Sequence, residues 1–259
     1  MSVPLGCFNR PWSKFEYGDA LAGIAAAGYD LTGTMRQQGE ALIDTDTTQE
    51  EVAALRAQVQ RAGLKPATVL GGFALDGSFD QSVSGFEALI DRVALFGAEH
   101  LLHCGTGNEQ QYERFYQTMR ACCDYAQDRG VTLTLKPHGG ISTSGADLLR
   151  AVERIDHPNF GIYYDPGNIM HYEGLDPVQE LEPVVEHVVA MCIKDSLGKL
   201  EGVMITPGVG KVDFRGVFDV LFEAGFDGPC IVECLGGETL EEVNEEASKT
   251  RDFLVELTS

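Results

Sequence analysis

The sequence is poor in basic residues and lacks long apolar runs, and both shortages argue against nucleic acids and membranes as partners. Only 19 Lys and Arg residues stand against 40 Asp and Glu, a formal net charge of −21 at pH 7. Since no excess of positive charge can neutralise phosphates, we expect neither nucleic acid nor a membrane as a partner. No stretch is long and apolar enough to span a bilayer. Residues 1–10 lack the charged start and apolar core of a signal peptide, so we expect a cytoplasmic protein.

Two common sequence motifs are also missing. The seven cysteines form no CxxC pair, so buried reduced thiols are expected and a disulfide framework is not. No GxGxxG follows the first apolar run, which leads instead into Phe8-Asn9-Arg10-Pro11-Trp12. An open doubly wound sheet usually carries such a glycine-rich turn, so its absence favours a closed barrel.

The chain contains a regular alternation of apolar runs and helix-like stretches. Its 259 residues are close to the roughly 250 that are typical of an eight-stranded α/β barrel. We therefore predict one domain, residues 1–259, with the fold of a (β/α)8 TIM barrel. The predicted strands are Gly6–Asn9, Asp30–Thr34, Pro66–Leu70, His100–Cys104, Val131–Lys136, Phe160–Asp165, Val188–Lys194 and Pro229–Glu233. The predicted helices are Leu21–Ala27, Thr48–Ala62, Phe86–Phe96, Glu109–Arg129, Gly145–Ile155, Pro177–Glu186, Phe214–Ala224 and Leu240–Leu257.

The last four predicted strands each stop on ionisable residues. Lys136, Asp165, Lys194 and Glu233 occupy these positions. Polar groups at the same end of successive parallel strands converge on one point, which is where barrel enzymes build their active sites. Strand alternation places Lys136 and His138 on the interior face of the fifth strand.

Asp165, Glu233 and His138 form a candidate metal site, with Cys192 as a fourth candidate ligand. Two carboxylates and an imidazole suit one divalent ion such as Mn, Mg, Co, Fe or Zn. For each residue a structural role remains open: a loop residue for Asp165, an ion pair for Glu233, a capping or hydrogen-bonding role for His138 and a packed thiol for Cys192.

Lys136 and Lys194 are unusual at the ends of apolar strands. A lysine inside a barrel must be paired, must shift its pKa or must reach the mouth. The functional alternatives are stabilising an enolate, holding a substrate carboxylate or phosphate, or forming a Schiff base. The structural alternative is a salt bridge to Asp165 or Glu233.

Five further residues are candidates for binding substrate. Capping or packing roles remain open beside this, above all for Trp12, which could stack on a sugar face. The glycine-containing segment 206–211 resembles a mobile loop over the mouth, with a weak phosphate-binding signal. The candidates are Asn168, His171, His103, Arg10 and Trp12.

These motifs, in this order, resemble the xylose isomerase-like sugar phosphate isomerase/epimerase superfamily. The matching pieces are Tyr-Asp-Pro-Gly-Asn around Asp165, the Ile-Lys-Asp ending at Asp195, the segment Pro207 to Phe214, and the final Val-Glu-Cys. The resemblance implies a small carbohydrate substrate, one divalent metal held by Glu, Asp, His and Glu after strands five to eight, and proton transfer beside a carbonyl. Related barrels often form dimers or tetramers, so a homo-oligomer is compatible with it.

The sequence departs from this family pattern at two of the four metal positions. Asp165 and Glu233 match, whereas Lys136 stands at the glutamate position and Cys192 at the histidine position. We expect an isomerase or epimerase acting on a sugar, keto-sugar or cyclitol, with Glu233, Lys136 and His138 as catalytic residues. The alternatives are a dehydratase or lyase on a keto-sugar or inosose, a Schiff-base lysine enzyme, and a carbohydrate-binding barrel without catalysis.

Overall fold

A computed structural model describes residues 3–258 and contains a closed barrel of eight parallel strands. Around the barrel the strand order is β1-β10-β9-β8-β7-β6-β5-β2, and β2 pairs with β1 to close it. This confirms the predicted single-domain eight-stranded α/β barrel. The barrel strands are β1 Leu5–Phe8, β2 Leu31–Thr34, β5 Lys65–Leu70, β6 His100–His103, β7 Thr132–Leu135, β8 Phe160–Tyr164, β9 Val188–Ile193 and β10 Cys230–Val232. The two remaining short strands, β3 Arg36–Gln37 and β4 Glu40–Ala41, lie outside the barrel.

Helices connect the barrel strands and pack outside them. Their bounds are α1 Tyr17–Ala26, α2 Gln49–Arg61, α3 Phe79–Phe96, α4 Tyr112–Gln127, α5 Gly145–Ile155, α6 Pro166–Glu173, α7 Pro177–Leu181, α8 Phe214–Glu223 and α9 Leu240–Thr258. Within residues 3–258, none of these helices has both the length and the apolar character needed to cross a membrane.

The helix boundaries follow from local capping chemistry. Thr48 and Glu51 form a capping box at the start of α2, next to the predicted helix start at Thr48. At the end of α3, Gly97 adopts a left-handed conformation with φ of 89°, which glycine adopts without steric cost. The predicted start of α3 at Phe86 is wrong, because a capping box of Ser78 and Gln81 begins the helix at Phe79.

Strand alternation separates two apolar layers, as predicted from the sequence. Leu133 and Leu135 of β7 pack outward against the helices, and so do the outward residues of β8 to β10. The inward set fills the barrel, and its members are Phe8, Met35, Ala67, Leu102, Tyr163, Ala190, Cys192 and Ile231. Residues two positions beyond this set on the same face therefore point into the barrel mouth.

Candidate active site

Four charged side chains meet at the C-terminal mouth of the barrel, as their strand-end positions predict. Each follows directly after its strand: Lys136 after β7, Asp165 after β8, Lys194 after β9 and Glu233 after β10. All four are buried, with exposures of 1%, 0%, 4% and 1% respectively. Charged side chains are almost never this buried unless they are paired, and here they pair with one another.

Glu233 is the hub of this charged cluster. One carboxylate oxygen contacts Arg10 and lies 3.1 Å from the ammonium of Lys194, while the other contacts the ammonium of Lys136. Burial raises the pKa of Glu233, but Lys136, Lys194 and Arg10 together lower it well below its usual value. Glu233 is therefore a carboxylate in the resting site.

Lys136 bridges the two carboxylates of the cluster. Its ammonium contacts Glu233 and lies 2.9 Å from Oδ2 of Asp165. Burial works against the charged form, yet the carboxylates of Asp165 and Glu233 raise the pKa of Lys136 well above its usual value. Because a Schiff base needs a neutral amine, this environment opposes the Schiff-base alternative for Lys136.

Asp165 joins the cluster to the helix that follows it. Its Oδ1 accepts the backbone N–H of Asn168 at 2.9 Å and so caps α6, a helix that is not among the predicted ones. Asn168 in turn donates its side-chain amide to the carbonyl of Pro137 at 2.6 Å. Oδ1 of Asn168 is buried and has no hydrogen-bond partner among the described residues.

Three of the predicted metal ligands lie together. Ligand atoms of Asp165, Cys192 and Glu233 all lie within 4.8 Å of one another. The ammonium of Lys136 already contacts both carboxylates of this group, and the thiol of Cys192 donates to Glu233 at 3.3 Å. Burial raises the pKa of Cys192 well above its usual value, so in this arrangement the sulfur is a thiol. With Lys136 in this position, the residues do not fit a divalent ion.

His138, the remaining predicted ligand, is not brought to this group. Strand β7 ends at Leu135, three residues before His138, so the alternation that predicted an inward His138 no longer applies. The residue is exposed at the surface, and its Nε2 lies 3.0 Å from the hydroxyl of Tyr172. Partial desolvation of the ring and the nearby charges of Lys136 and Lys194 lower the pKa of His138. Its place at the mouth is compatible with substrate contact.

The other predicted substrate residues divide between the mouth and the core. Arg10 is 33% exposed and reaches the charged cluster from the rim. His171 is partly buried beside Tyr172, with ring centroids 5.1 Å apart. Trp12, in contrast, is fully buried and donates its indole N–H to Asn244 on α9 at 2.8 Å. The structure therefore supports the packing role of Trp12 and not its predicted stacking on a sugar.

A cavity of about 360 Å³ opens beside the cluster. The backbone N–H of Lys136 donates to the carbonyl of His103 at 2.9 Å, so this lining residue lies next to the strand end that carries Lys136. The sequence predicted His103 as a lining residue but missed Met35, Arg36 and Cys104, although each directly follows or lies close behind a strand end. The lining residues are Met35, Arg36, Ala41, Ile43, Asp44, Leu70, Gly71, Gly72, Leu89, His103 and Cys104.

His103 is neutral in this environment. Its Nδ1 accepts the backbone N–H of Gly105 at 2.8 Å, so the proton of the neutral ring is on Nε2. Nε2 is buried without a partner among residues 3–258. Burial lowers the pKa of His103 to about 4.

The glycine-containing segment 206–211 is anchored to the barrel. Asp195 accepts the backbone N–H groups of Gly208 and Gly210, each at 2.8 Å, and that of Val212 at 3.1 Å. These amides are therefore not free to bind phosphate, and the weak phosphate signal of this loop is not supported. Asp195 fixes the junction of β9 with its loop.

Comparisons with known proteins agree with the fold. The family model described as a xylose isomerase-like TIM barrel matches residues 21–257. L-ribulose-5-phosphate 3-epimerase UlaE of Salmonella typhi is 26% identical over 97% of this chain and 94% of that protein.

Two solved structures superpose over nearly the whole chain. The D-allulose 3-epimerase from Methylomonas sp. has a TM-score of 0.79 at 19% identity and covers 98% of this chain and 96% of that one. The 3-keto-D-glucoside 4-epimerase YcjR of E. coli has a TM-score of 0.73 at 17% identity, with 99% of both chains covered. These identities show a shared fold. Together with the family match, they place the chain in the xylose isomerase-like TIM barrel family.

Proposed function

We propose that this protein is an isomerase or epimerase that moves a proton on the carbon beside a carbonyl of a sugar, keto-sugar or cyclitol. The observation that carries the proposal is Glu233, a buried carboxylate held by Lys136, Lys194 and Arg10 at the barrel mouth. A base surrounded by cation donors suits a reaction in which a carbonyl oxygen becomes negatively charged. The names of the related epimerases support the same class.

Substrate binding would activate Glu233. In the resting site the cations hold the pKa of Glu233 low, and such a carboxylate is a weak base. A substrate carbonyl that accepts from Lys136 and Lys194 would draw both ammonium groups away from Glu233. Its pKa would then rise towards the range that suits a general base.

The proton transfer can be written with Glu233 and Lys136 in separate roles. Glu233 takes the proton from carbon, and the electron pair moves onto the carbonyl oxygen, where ammonium donors stabilise the enolate. An isomerase would return the proton from Glu233 to the neighbouring carbon or oxygen. An epimerase would return a proton from Lys136 to the opposite face of the carbon. Once the product has left and the contact between Lys136 and Glu233 is restored, the proton that Glu233 took can pass to the lysine amine.

The substrate class and the residues that bind the substrate are also part of this proposal. The substrate is a small carbohydrate, and Asn168, His171, His103 and His138 are the candidate groups for its hydroxyls. Asp165, Cys192 and Glu233 lie close enough together to suggest an ion, but the ammonium of Lys136 already contacts both carboxylates, so the proton transfer uses no divalent ion.

Solvent exchange tests the proposal. The protein would be incubated in D2O with a panel of keto-sugars and inososes that includes L-ribulose 5-phosphate, D-allulose and 3-keto-glucosides, and followed by NMR. We expect deuterium on the carbon beside the carbonyl together with an epimer or isomer, and loss of both in Glu233→Gln. Loss of water from the substrate would assign the dehydratase alternative. Sugar binding without any exchange across the panel would assign the non-catalytic one.

A further inference from the structure

We infer that the ammonium of Lys136 takes the place of a divalent metal, so that the site uses a cation of its own and binds no metal ion. The inference deepens the proposed function and rests on it for the role of the cation. Its test measures metal binding rather than turnover, so the inference and the proposed function can fail separately.

The position of Lys136 carries the first step of the argument. The group that could hold an ion consists of Asp165, Cys192 and Glu233. The ammonium of Lys136 contacts Glu233 and lies 2.9 Å from Oδ2 of Asp165. An ion bound to the same two oxygens at roughly 2.0–2.2 Å would overlap the ammonium. Metal binding would therefore require Lys136 to leave the pair.

The charge of the cluster gives an independent reason. Lys136, Lys194 and Arg10 supply three positive charges, and Asp165 and Glu233 supply two negative ones. The carboxylates are already more than neutralised before any ion arrives. A divalent cation would add like charge to a buried region, where such repulsion is screened least.

The donor set also falls short of a metal site. Cys192 is a thiol whose hydrogen is directed at Glu233, 3.3 Å away. His138 is exposed and paired with Tyr172. Only Asp165 and Glu233 remain as anionic ligands, whereas catalytic metal sites usually use three protein ligands.

An ammonium group can supply the electrostatic stabilisation that a metal ion gives to a carbonyl oxygen. A metal beside a carbonyl stabilises the negative charge that develops on oxygen. Lys136 and Lys194 offer charge-assisted hydrogen bonds to the same oxygen from a buried position, where such bonds are strong. Lys194 lies 3.1 Å from one oxygen of Glu233 and Lys136 contacts the other, so both donors face the same carboxylate.

Metal titration of the unchanged protein tests the inference. Protein purified without chelators would be analysed for metal content and heated with and without MnCl2, CoCl2, MgCl2 or ZnCl2. We expect far less than one ion per chain and no shift of the unfolding midpoint. Retention of a stoichiometric ion, or a midpoint raised by a divalent salt in wild type but not in an Asp165→Asn variant, would overturn the inference.

Substitution of Lys136 provides the second arm. Lys136→Glu replaces the central cation with a carboxylate beside Asp165 and Glu233, and we expect it to gain one divalent ion and a higher unfolding midpoint in MnCl2. Lys136→Gln is the matched control, because it removes the charge without adding a ligand, and it should gain much less. Equal gains in both variants, or none in a folded Lys136→Glu, would contradict the inference. If Lys136→Glu does not fold even with MnCl2, the titration of the unchanged protein decides alone.

Discussion

Two layers of the barrel interior are equally buried but chemically opposite. The lower layer is mostly apolar and includes Tyr163, Cys192 and Ile231. Two residues further along the same strands, the upper layer consists of Asp165, Lys194 and Glu233 with Lys136. The same strands and the same alternation thus carry both layers.

The difference indicates that the upper layer serves function. A buried ion pair is often no more stabilising than apolar residues of similar volume. The lower layer shows that this barrel can fill its interior with apolar groups. The buried charges therefore serve function rather than stability, at the mouth where substrates of barrel enzymes bind.

Removal of the charge on Glu233 should affect the upper layer most. Glu233→Gln keeps the shape but takes away the base, so turnover of any substrate found by deuterium exchange should fall about 10²–10⁴-fold. The exposed Glu241→Gln is the control and should leave turnover unchanged. Steady-state kinetics on both variants measures the effect, and near-normal turnover by Glu233→Gln would remove Glu233 from the mechanism.

Loss of the central cation should destabilise the protein. Lys136→Met leaves Asp165 and Glu233 buried with fewer partners, and breaking a buried pair costs about 3–5 kcal/mol of unfolding free energy. The control is Lys199→Met, whose surface ion pair with Glu173 is worth at most about 1 kcal/mol. Urea unfolding compares the two. Equal effects would mean that the buried cluster is not held by charge.

Truncation in the lower layer should separate stability from activity. Leu102 is fully buried inside the barrel, so Leu102→Ala should cost about 2–5 kcal/mol of unfolding free energy. Turnover per folded molecule should change only a few-fold, since no charge is touched. A loss of turnover as large as that of Glu233→Gln would show that the layers do not act separately.

The neutral His103 should make stability fall in acid. Its pKa in the folded protein is about 4, below the usual value of 6.5, so the unfolded chain binds a proton first as pH drops. Neutral His103 therefore contributes about 3 kcal/mol to the free energy of unfolding above pH 6.5, and this contribution is lost as pH falls towards 4. Urea unfolding at pH 7 and pH 4.5 should show a smaller difference for His103→Phe than for the natural protein. Equal differences would mean that His103 does not titrate this way.

The sequence predicted the barrel and the meeting of its charges because both follow from local rules. Alternation along β7 to β10 distinguishes inward from outward residues, and parallel strands bring their C-terminal ends together. Lys136, Asp165, Lys194 and Glu233 therefore met as expected. Their pairing was one of two alternatives, because the geometry of three cations around Glu233 depends on distances that a sequence does not contain.

The errors lie where the chain leaves regular structure. His138 lies beyond the end of β7 at Leu135, so strand alternation could not place it. Trp12 lies in a short 3-10 turn whose tight winding takes the ring into the core beneath α9. The glycine-containing loop was read as free because the bonds of its amides to Asp195 are long-range contacts.

The most direct test of the account is a crystal grown with MnCl2 and measured at the manganese absorption edge. We predict no anomalous peak between Asp165 and Glu233, with the ammonium of Lys136 in contact with both carboxylates. A manganese peak bound to these carboxylates, with Lys136 turned away, would contradict the claim that the lysine takes the metal's place.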